Sequence, residues 1–375
     1  MTCGTPMCIS VSRSTRQPKM SESLVRARAP LRLGLGGGGT DTSPYAETYG
    51  GVVINATVDL YAHVTIALSP SREVEIYLND RGMSWRGPVT GALPLGDDFI
   101  LVKGVYNRMC AMFNNGQGLP LAISVFADVP AGSGLGTSSA IVTALVQAFS
   151  ELFQARLSAY DVAHLAYEIE RVDLALNGGK QDQYAAVFGG VNFIEFGPGH
   201  SVLVNPLRIT PETAAEFEAS LVLFFSGVSR DSARIIDEQA RNVSSGQTKS
   251  IDAMHLLKET AFRMKQALLL GRITEVAAIL DESWVHKKQT ASAVTTSELD
   301  ALYQAAKDAG ALGGKVSGAG GGGFMMFLVD PRRRQQVLHA LEAFPGRVYT
   351  SRLSSTGAMS WRIGEDLCKA ARLVA

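Results

Sequence analysis

Apolar and polar residues alternate over residues 25–35, Val-Arg-Ala-Arg-Ala-Pro-Leu-Arg-Leu-Gly-Leu, and a period of two predicts a strand with Arg26, Arg28 and Arg32 on one face. A glycine loop, Gly36 to Gly39, follows it. Residues 52–68 and 74–78 are rich in β-branched side chains and read as further strands, while 82–96 has turn chemistry and 97–113 looks helical. An alternating run over 121–127 enters the stretch Val-Pro-Ala-Gly-Ser-Gly-Leu-Gly-Thr-Ser-Ser-Ala at 129–140, and a helical run over 141–153 leaves it. The next helix is expected over 158–176. Ser158 with Asp161 forms a capping box there, and Val162, Leu165, Ala166, Ile169, Val172 and Leu176 form its apolar stripe. Glu170 lies at the border of that stripe, and Asn177-Gly178-Gly179 ends the helix.

A polar cluster, Lys180-Gln181-Asp182-Gln183-Tyr184, precedes an apolar strand at 191–196. Pro206 and Pro211 then mark a domain change. Residues 221–225 form a buried-strand run, and helical patterns follow at 232–241, 251–270, 273–290 and 297–309. A third glycine stretch, 313–323, contains Lys315 and Ser317 and feeds a strand at 324–329. Residues 331–344 read as a helix with proline in its first turn, and 348–353 with 359–363 close a sheet. The order, strands first and then helices around the 129–140 turn, is α+β rather than strict βαβ alternation. Three spans are expected: a disordered extension over 1–23, an N-terminal domain over 24–205 and a C-terminal domain over 206–375.

With 375 residues, 46% hydrophobic and 19% charged, the chain can bury a sizeable core in two domains. Lys and Arg number 35 and Asp and Glu number 35, a balance that argues against nucleic acid or an anionic membrane as partner. No apolar run reaches membrane-span length. Cys3, Cys8, Cys110 and Cys368 are too few and too scattered for a disulfide framework or a zinc knuckle, so a reducing, cytoplasmic setting fits. Residues 1–19 carry Arg13, Arg16 and Lys19 without an acid and without the apolar core of a secretory signal.

The chemistry concentrates in the glycine loops. Strand, glycine turn and helix start at 129–140 bring unblocked N–H groups and the positive end of a helix to one point, which suits a polyphosphate. The plainer alternative is an ordinary capped turn. Gly34, Gly36 and Gly39, with Asp59 further on, fit the dinucleotide spacing, but Thr40-Asp41-Thr42-Ser43-Pro44 offers turn residues where that fingerprint needs a helix. No Walker lysine follows the second loop either. What remains is a non-Walker phosphate cradle with its own acids. Ser138 with Glu170 would hold Mg²⁺, Asp182 would take or orient the acceptor's hydroxyl proton, and Lys180 or Arg32 would stand near the transferring group. Open alternatives are a turn-capping role for Asp182 and a surface ion pair for Glu170.

Ala29-Pro30-Leu31-Arg32 with the glycine run to Thr40-Asp41, the loop from Pro130 to Ser139, the segment from Gly179 to Gln183, and Lys315 to Gly323 resemble the successive motifs of the GHMP small-molecule kinases. Within that superfamily the chain is most similar to the D-glycero-D-manno-heptose 7-phosphate kinases. The resemblance implies a two-domain α+β fold, a ribosomal protein S5 domain 2-like N-terminal unit with a ferredoxin-like C-terminal unit, and a site between them that uses ATP and Mg²⁺. Carried across by motif, Gly132, Ser133, Gly134, Leu135, Gly136, Thr137, Ser138 and Ser139 wrap the ATP phosphates. Ser138 and Glu170 serve magnesium, and Asp182, Arg32 and Lys180 are catalytic. Gly38, Gly39, Thr40 and Asp41 contact the sugar, with Gly38-Gly39 standing where the family commonly has Glu-His, and Gly320 and Gly321 close on the site. A sugar phosphate needs a cationic anchor at its far end, for which Arg230, Lys287 and Lys288 are the candidates. The implied reaction is phosphorylation of the anomeric C1 hydroxyl of the heptose 7-phosphate. A fucokinase-like or other C1 sugar kinase, and a sugar-phosphate sensor without turnover, are the rival readings, and a homodimer is compatible with all three.

Overall fold

The structure, a computed structural model, describes residues 24–227 and 232–363. The expected extension over 1–23 therefore lies outside the described residues, as does Arg230. The chain opens with β1 (Leu24–Gly36), a short α1 (Tyr45–Tyr49) and the 18-residue β2 (Gly51–Leu68). After these come β3 (Val74–Leu78), β4 (Met83–Gly87), α2 (Ile100–Phe113) and β5 (Leu121–Ala127). β4 occupies a stretch that the sequence reads as turn.

β2 is the spine of this half. Its first six residues pair with β6 (Val191–Phe196), its later residues pair with β5, and β1 runs antiparallel along its other edge. α3 (Thr137–Phe153), α4 (Ala159–Tyr167) and α5 (Gln181–Phe188) lie between β5 and β6 in the chain, and α3 packs on β1 and β2. The capping box at Ser158 and Asp161 is present in both directions. The helix it starts gives way at Glu168 to a π-helical turn, Glu168–Asp173, instead of running on to Leu176.

β7 (Val202–Pro206) pairs with β6, and α6 (Pro211–Ser220) then leads into β8 (Leu221–Phe225). Four helices follow: α7 (Ser232–Ser244), α8 (Thr248–Leu269), α9 (Ile273–Lys287) and α10 (Ser297–Asp308). β9 (Ala311–Val316), β10 (Phe324–Val329), α11 (Arg334–Leu341) and β11 (Arg347–Tyr349) complete a second sheet in the order β11-β8-β10-β9.

β10 is buried on both sides, so its side chains divide two cores. Phe324, Met326 and Leu328 face the large core shared with the first sheet, whereas Met325, Phe327 and Val329 pack with Trp284, Leu299, Leu302 and Val337. The two strands expected to close one sheet divide between two. β11 joins the second, but β12 (Met359–Ile363) crosses back to lie antiparallel beside β1, with Leu24 opposite Ile363. The span 206–375 thus contributes its last described strand to the first sheet. Among the described residues no helix is long and apolar enough to cross a membrane.

Candidate functional site

β5 delivers the chain to a loop whose glycines Gly132, Gly134 and Gly136 have φ of 71°, 84° and 76°, a region that favours glycine. Gly136 is the N-cap of α3 and no side chain caps the helix, so the hydroxyls of Thr137, Ser138 and Ser139 do not serve as caps. The first turn of α3 instead lines a cavity of about 280 Å³, with its N–H groups and the positive helix end available to an anion. Gly132, Ser133, Gly134, Gly136, Thr137, Ser138 and Ser139 all border this space. Leu135 does not: its side chain is buried in the core, and its carbonyl accepts the Arg32 N–H at 3.0 Å.

The third glycine loop comes from the other sheet and supports the first from behind. Its approach is backbone to backbone: a side chain at Gly134 would put its Cβ 2.5 Å from the Ser317 carbonyl oxygen. Phe324 N–H donates to the Ser133 carbonyl at 2.8 Å. Gly318 and Ala319 reach the cavity, but Gly320 and Gly321 are buried against Val294, whose carbonyl accepts the Gly321 N–H at 2.7 Å. The expected contact of Gly320 and Gly321 with substrate is therefore corrected, because their backbone serves the fold.

Asp182, in the first turn of α5, stands over Gly136, where a side chain would meet its carboxyl carbon at 3.2 Å. Arg32 reaches it from β1 with two parallel hydrogen bonds, Nε to Oδ1 at 2.7 Å and Nη2 to Oδ2 at 2.9 Å. A third bond, Nη1 to the Gly134 carbonyl at 2.6 Å, ties this fork to the phosphate loop. Glu170 lies in the π-helical turn, buried. One of its oxygens accepts the Ser138 hydroxyl at 2.6 Å and the other accepts Gln183 Nε2 at 2.7 Å, with Arg171 at 3.4 Å. Ser138 and Glu170 thus converge as hard oxygen donors, the kind of pair a divalent cation with few protein ligands takes.

Asp41 is also buried in the wall. It accepts N–H groups from Gly39 and Gln181 and the Gln181 amide, each at 3.1 Å. Gly38, Gly39 and Thr42 line the cavity beside it. Thr40 does not, since its hydroxyl is held by the Gly37 and Val52 carbonyls at 2.8 Å.

Three lysines diverge. Lys287 is buried in the wall with Nζ 3.2 Å from the Gly38 carbonyl. Lys288 turns outward to Asp300 at 3.3 Å, so its expected part in the site is corrected. Lys180 points away from the phosphate loop and pairs with Glu47 of α1 at 2.5 Å, bordering a side pocket behind Asp41 rather than the main cavity. The expectation of Lys180 beside the transferring group is corrected for that reason. Gln181, Gln183 and Arg171 belong to the site although the sequence gives them no role, the polar density of residues 180–184 hinting only at the first two; Lys315 and Ser317, noted in the third glycine stretch without a role, belong to it as well. The dinucleotide spacing dissolves: Gly34 and Gly36 lie in β1, Asp59 lies in β2, and the Asp59 carboxylate is engaged by Ser351 and the Arg352 N–H.

Residues 101–190 match the family model described as "GHMP kinases N terminal domain", and residues 264–346 match "GHMP kinases C terminal". A protein of Campylobacter jejuni named D-glycero-alpha-D-manno-heptose 7-phosphate kinase is 41% identical over 348 residues, 90% of this chain and 99% of that one. The chain belongs to the GHMP kinase family. A crystal structure described as a D-glycero-D-manno-heptose 1-phosphate kinase from Bacteroides thetaiotaomicron superposes on this GHMP kinase with a TM-score of 0.78 at 40% identity. That match covers 91% of this chain and all of the other. The L-fucokinase/L-fucose-1-P guanylyltransferase of Bacteroides fragilis is 26% identical over 86% of this chain and 37% of its own length. The fold is the two-domain GHMP kinase fold, and the protein is a sugar kinase, a phosphotransferase acting on a sugar hydroxyl.

Proposed function

We propose that this kinase transfers the γ-phosphoryl group of ATP to the anomeric C1 hydroxyl of D-glycero-D-manno-heptose 7-phosphate, giving the 1,7-bisphosphate. The observation that carries the reading is that Asp182, clamped by Arg32, shares one cavity with the uncapped first turn of α3. The triphosphate lies along the glycine loop, its charge met by the N–H groups of residues 136–139 and the helix end. Asp182 accepts a hydrogen bond from the acceptor hydroxyl and holds it in line with the γ-phosphorus, taking its proton as the new P–O bond forms and the bond to ADP breaks. Arg32 orients that carboxylate through its two parallel hydrogen bonds and supplies positive charge to the equatorial oxygens. Asp41, with both oxygens facing N–H donors, has lone pairs to spare for a ring hydroxyl.

Ser138 and Glu170 are the residues that would hold Mg²⁺, which supplies charge neutralisation on the β- and γ-phosphates. Among the described residues no group of three or more His, Cys, Asp or Glu gathers as a metal cage. Cys110 is buried, and that burial pushes its thiol up to about 11, which keeps it protonated and unreactive.

The test is turnover of purified protein with ATP and Mg²⁺ on heptose 7-phosphate, unphosphorylated heptose, L-fucose and mannose 6-phosphate, with the phosphorylated position read by phosphorus–proton coupling. The expected outcome is a C1 phosphate on the heptose 7-phosphate and at least tenfold lower kcat/KM on the others. Preference for fucose, or phosphate placed elsewhere than C1, overturns the proposal.

A further inference from the structure

Two ammonium groups in the cavity wall have no carboxylate partner among the described residues. Lys287, at the end of α9, is 2% exposed and donates to the Gly38 carbonyl at 3.2 Å. Lys315, on β9, is also 2% exposed and donates to the Gly34 carbonyl at 2.7 Å. Each ammonium has three N–H donors and one carbonyl uses only one of them. Charge balance nearby does not help. Arg32 has Asp182, while Asp41 attracts Lys287 from beyond ion-pair distance and is already satisfied by Gln181 and Gly39. Burial therefore pushes Lys287 down to about 8 and Lys315 well below the ordinary lysine range, with Lys287 and Arg32 repelling Lys315 further.

Buried cations of this kind are unfavourable unless a counter-charge arrives. The cavity has room for one: Gly38, Gln181, Lys287 and Lys315 all line it, and Lys287 Nζ and Gln181 Nε2 lie 3.8 and 3.9 Å from the point above Gly38 where a side chain would begin. A residue larger than glycine there would fill the space in front of the ammonium. The triphosphate already has its own donors in the first turn of α3. The two lysines hold carbonyls of β1 and the turn after it instead, which is the acceptor's side of the cavity in the reading above.

We infer that Lys287 and Lys315, both in the wall of the cavity, form a second anion subsite that seats the phosphate monoester the acceptor sugar already carries. This rests on the heptose 7-phosphate reading.

Lys287→Met and Lys315→Met keep the buried stems and remove the charge, Lys287→Arg restores it, and thermal melting shows that each variant is folded. The expected result is a KM for heptose 7-phosphate raised on the order of 10- to 100-fold per methionine variant. KM for ATP and kcat/KM on unphosphorylated heptose stay within about threefold, and arginine recovers part of the loss. The preference for the phosphorylated acceptor then collapses. A fall in kcat of equal size on both acceptors, with the preference intact, overturns the inference and assigns the lysines to the phosphoryl group in flight. A wild type that ignores the acceptor's phosphate overturns the substrate reading instead. Calorimetric titration with inorganic phosphate in the absence of nucleotide addresses the lysines directly: weaker binding to the methionine variants supports the subsite, and equal binding refutes it.

Discussion

The two glycine loops that meet at the cavity look alike in sequence and do opposite work. In residues 132–136, glycine gives left-handed backbone at three positions and ends in a helix start with no cap, so the N–H groups are left for a ligand. In residues 318–323, five glycines also have positive φ, yet at its buried end the loop bonds protein: Gly321 N–H to the Val294 carbonyl, and the Gly323 carbonyl to the Ser226 N–H at 3.0 Å. A run of glycines therefore marks where backbone approaches something closely. What it approaches, phosphate or another strand, is decided by whether the N–H groups are already used.

That contrast can be broken most sharply at what the first loop faces. Asp182→Asn, isosteric and uncharged, is expected to lower kcat by on the order of 10² or more with KM for ATP nearly unchanged, as single-turnover assays would show. Near-normal kcat would mean that Arg32 and positioning carry the transfer. Next in size is a matched pair of glycine substitutions. Gly136→Ala forces φ of 76° on a residue with a Cβ and crowds Asp182, so kcat/KM for ATP should fall roughly 10- to 100-fold. Gly320→Ala, with φ of 113° and a Cβ 2.5 Å from the Val294 carbonyl, should instead cost about 2–3 kcal/mol of stability, leaving KM for ATP within about threefold. If Gly320→Ala damages ATP use as much as Gly136→Ala, the division of labour fails.

Ser138→Ala removes one oxygen from the Glu170 pair and should raise the Mg²⁺ needed for half-maximal rate roughly three- to tenfold, as a magnesium titration would read. The smallest effect is in pH. Lys287, buried, attracted by Asp41 and repelled by Arg32, loses its proton near pH 8 when free, whereas the unfolded chain keeps it to 10.5. Its contribution to the stability of the ligand-free fold is thus greatest above pH 10.5 and is lost as pH falls through 8. Its grip on an anion runs the other way. KM for the phosphorylated acceptor should rise by up to about tenfold per unit above pH 8, and Lys287→Met should flatten that rise.

Much of this was readable before any coordinates. The glycine turn leading into a helix, the capping box at Ser158 and Asp161, and β3 over Val74–Leu78 follow from local chemistry and appear as expected, although α3 starts at Thr137 rather than at 141. Glu170 shows the limit. Periodicity predicts an unbroken helix to Leu176, but the chain inserts a π-helical turn, with Leu174 N–H reaching back to the Ile169 carbonyl, and that turn carries the carboxylate to Ser138. One extra residue in a turn leaves no mark on an apolar stripe. Lys180 shows another limit. It sits two residues before Asp182, yet at a helix start neighbours point roughly 100° apart per residue, so it meets Glu47 while Asp182 meets Arg32. Lys287 is legible only as one of three candidate cations and Lys315 only as part of a glycine stretch, since their surroundings at Gly38 and Gly34 come from segments more than 200 residues away.

β12 lies against β1 with Leu24 opposite Ile363, so the oldest strand on a growing polypeptide waits for one of the youngest. During synthesis the first sheet keeps an unpaired border along β1 until Ile363 has left the ribosome. The sheet that carries Arg32 consequently lacks its outermost strand in any fragment that stops before residue 359.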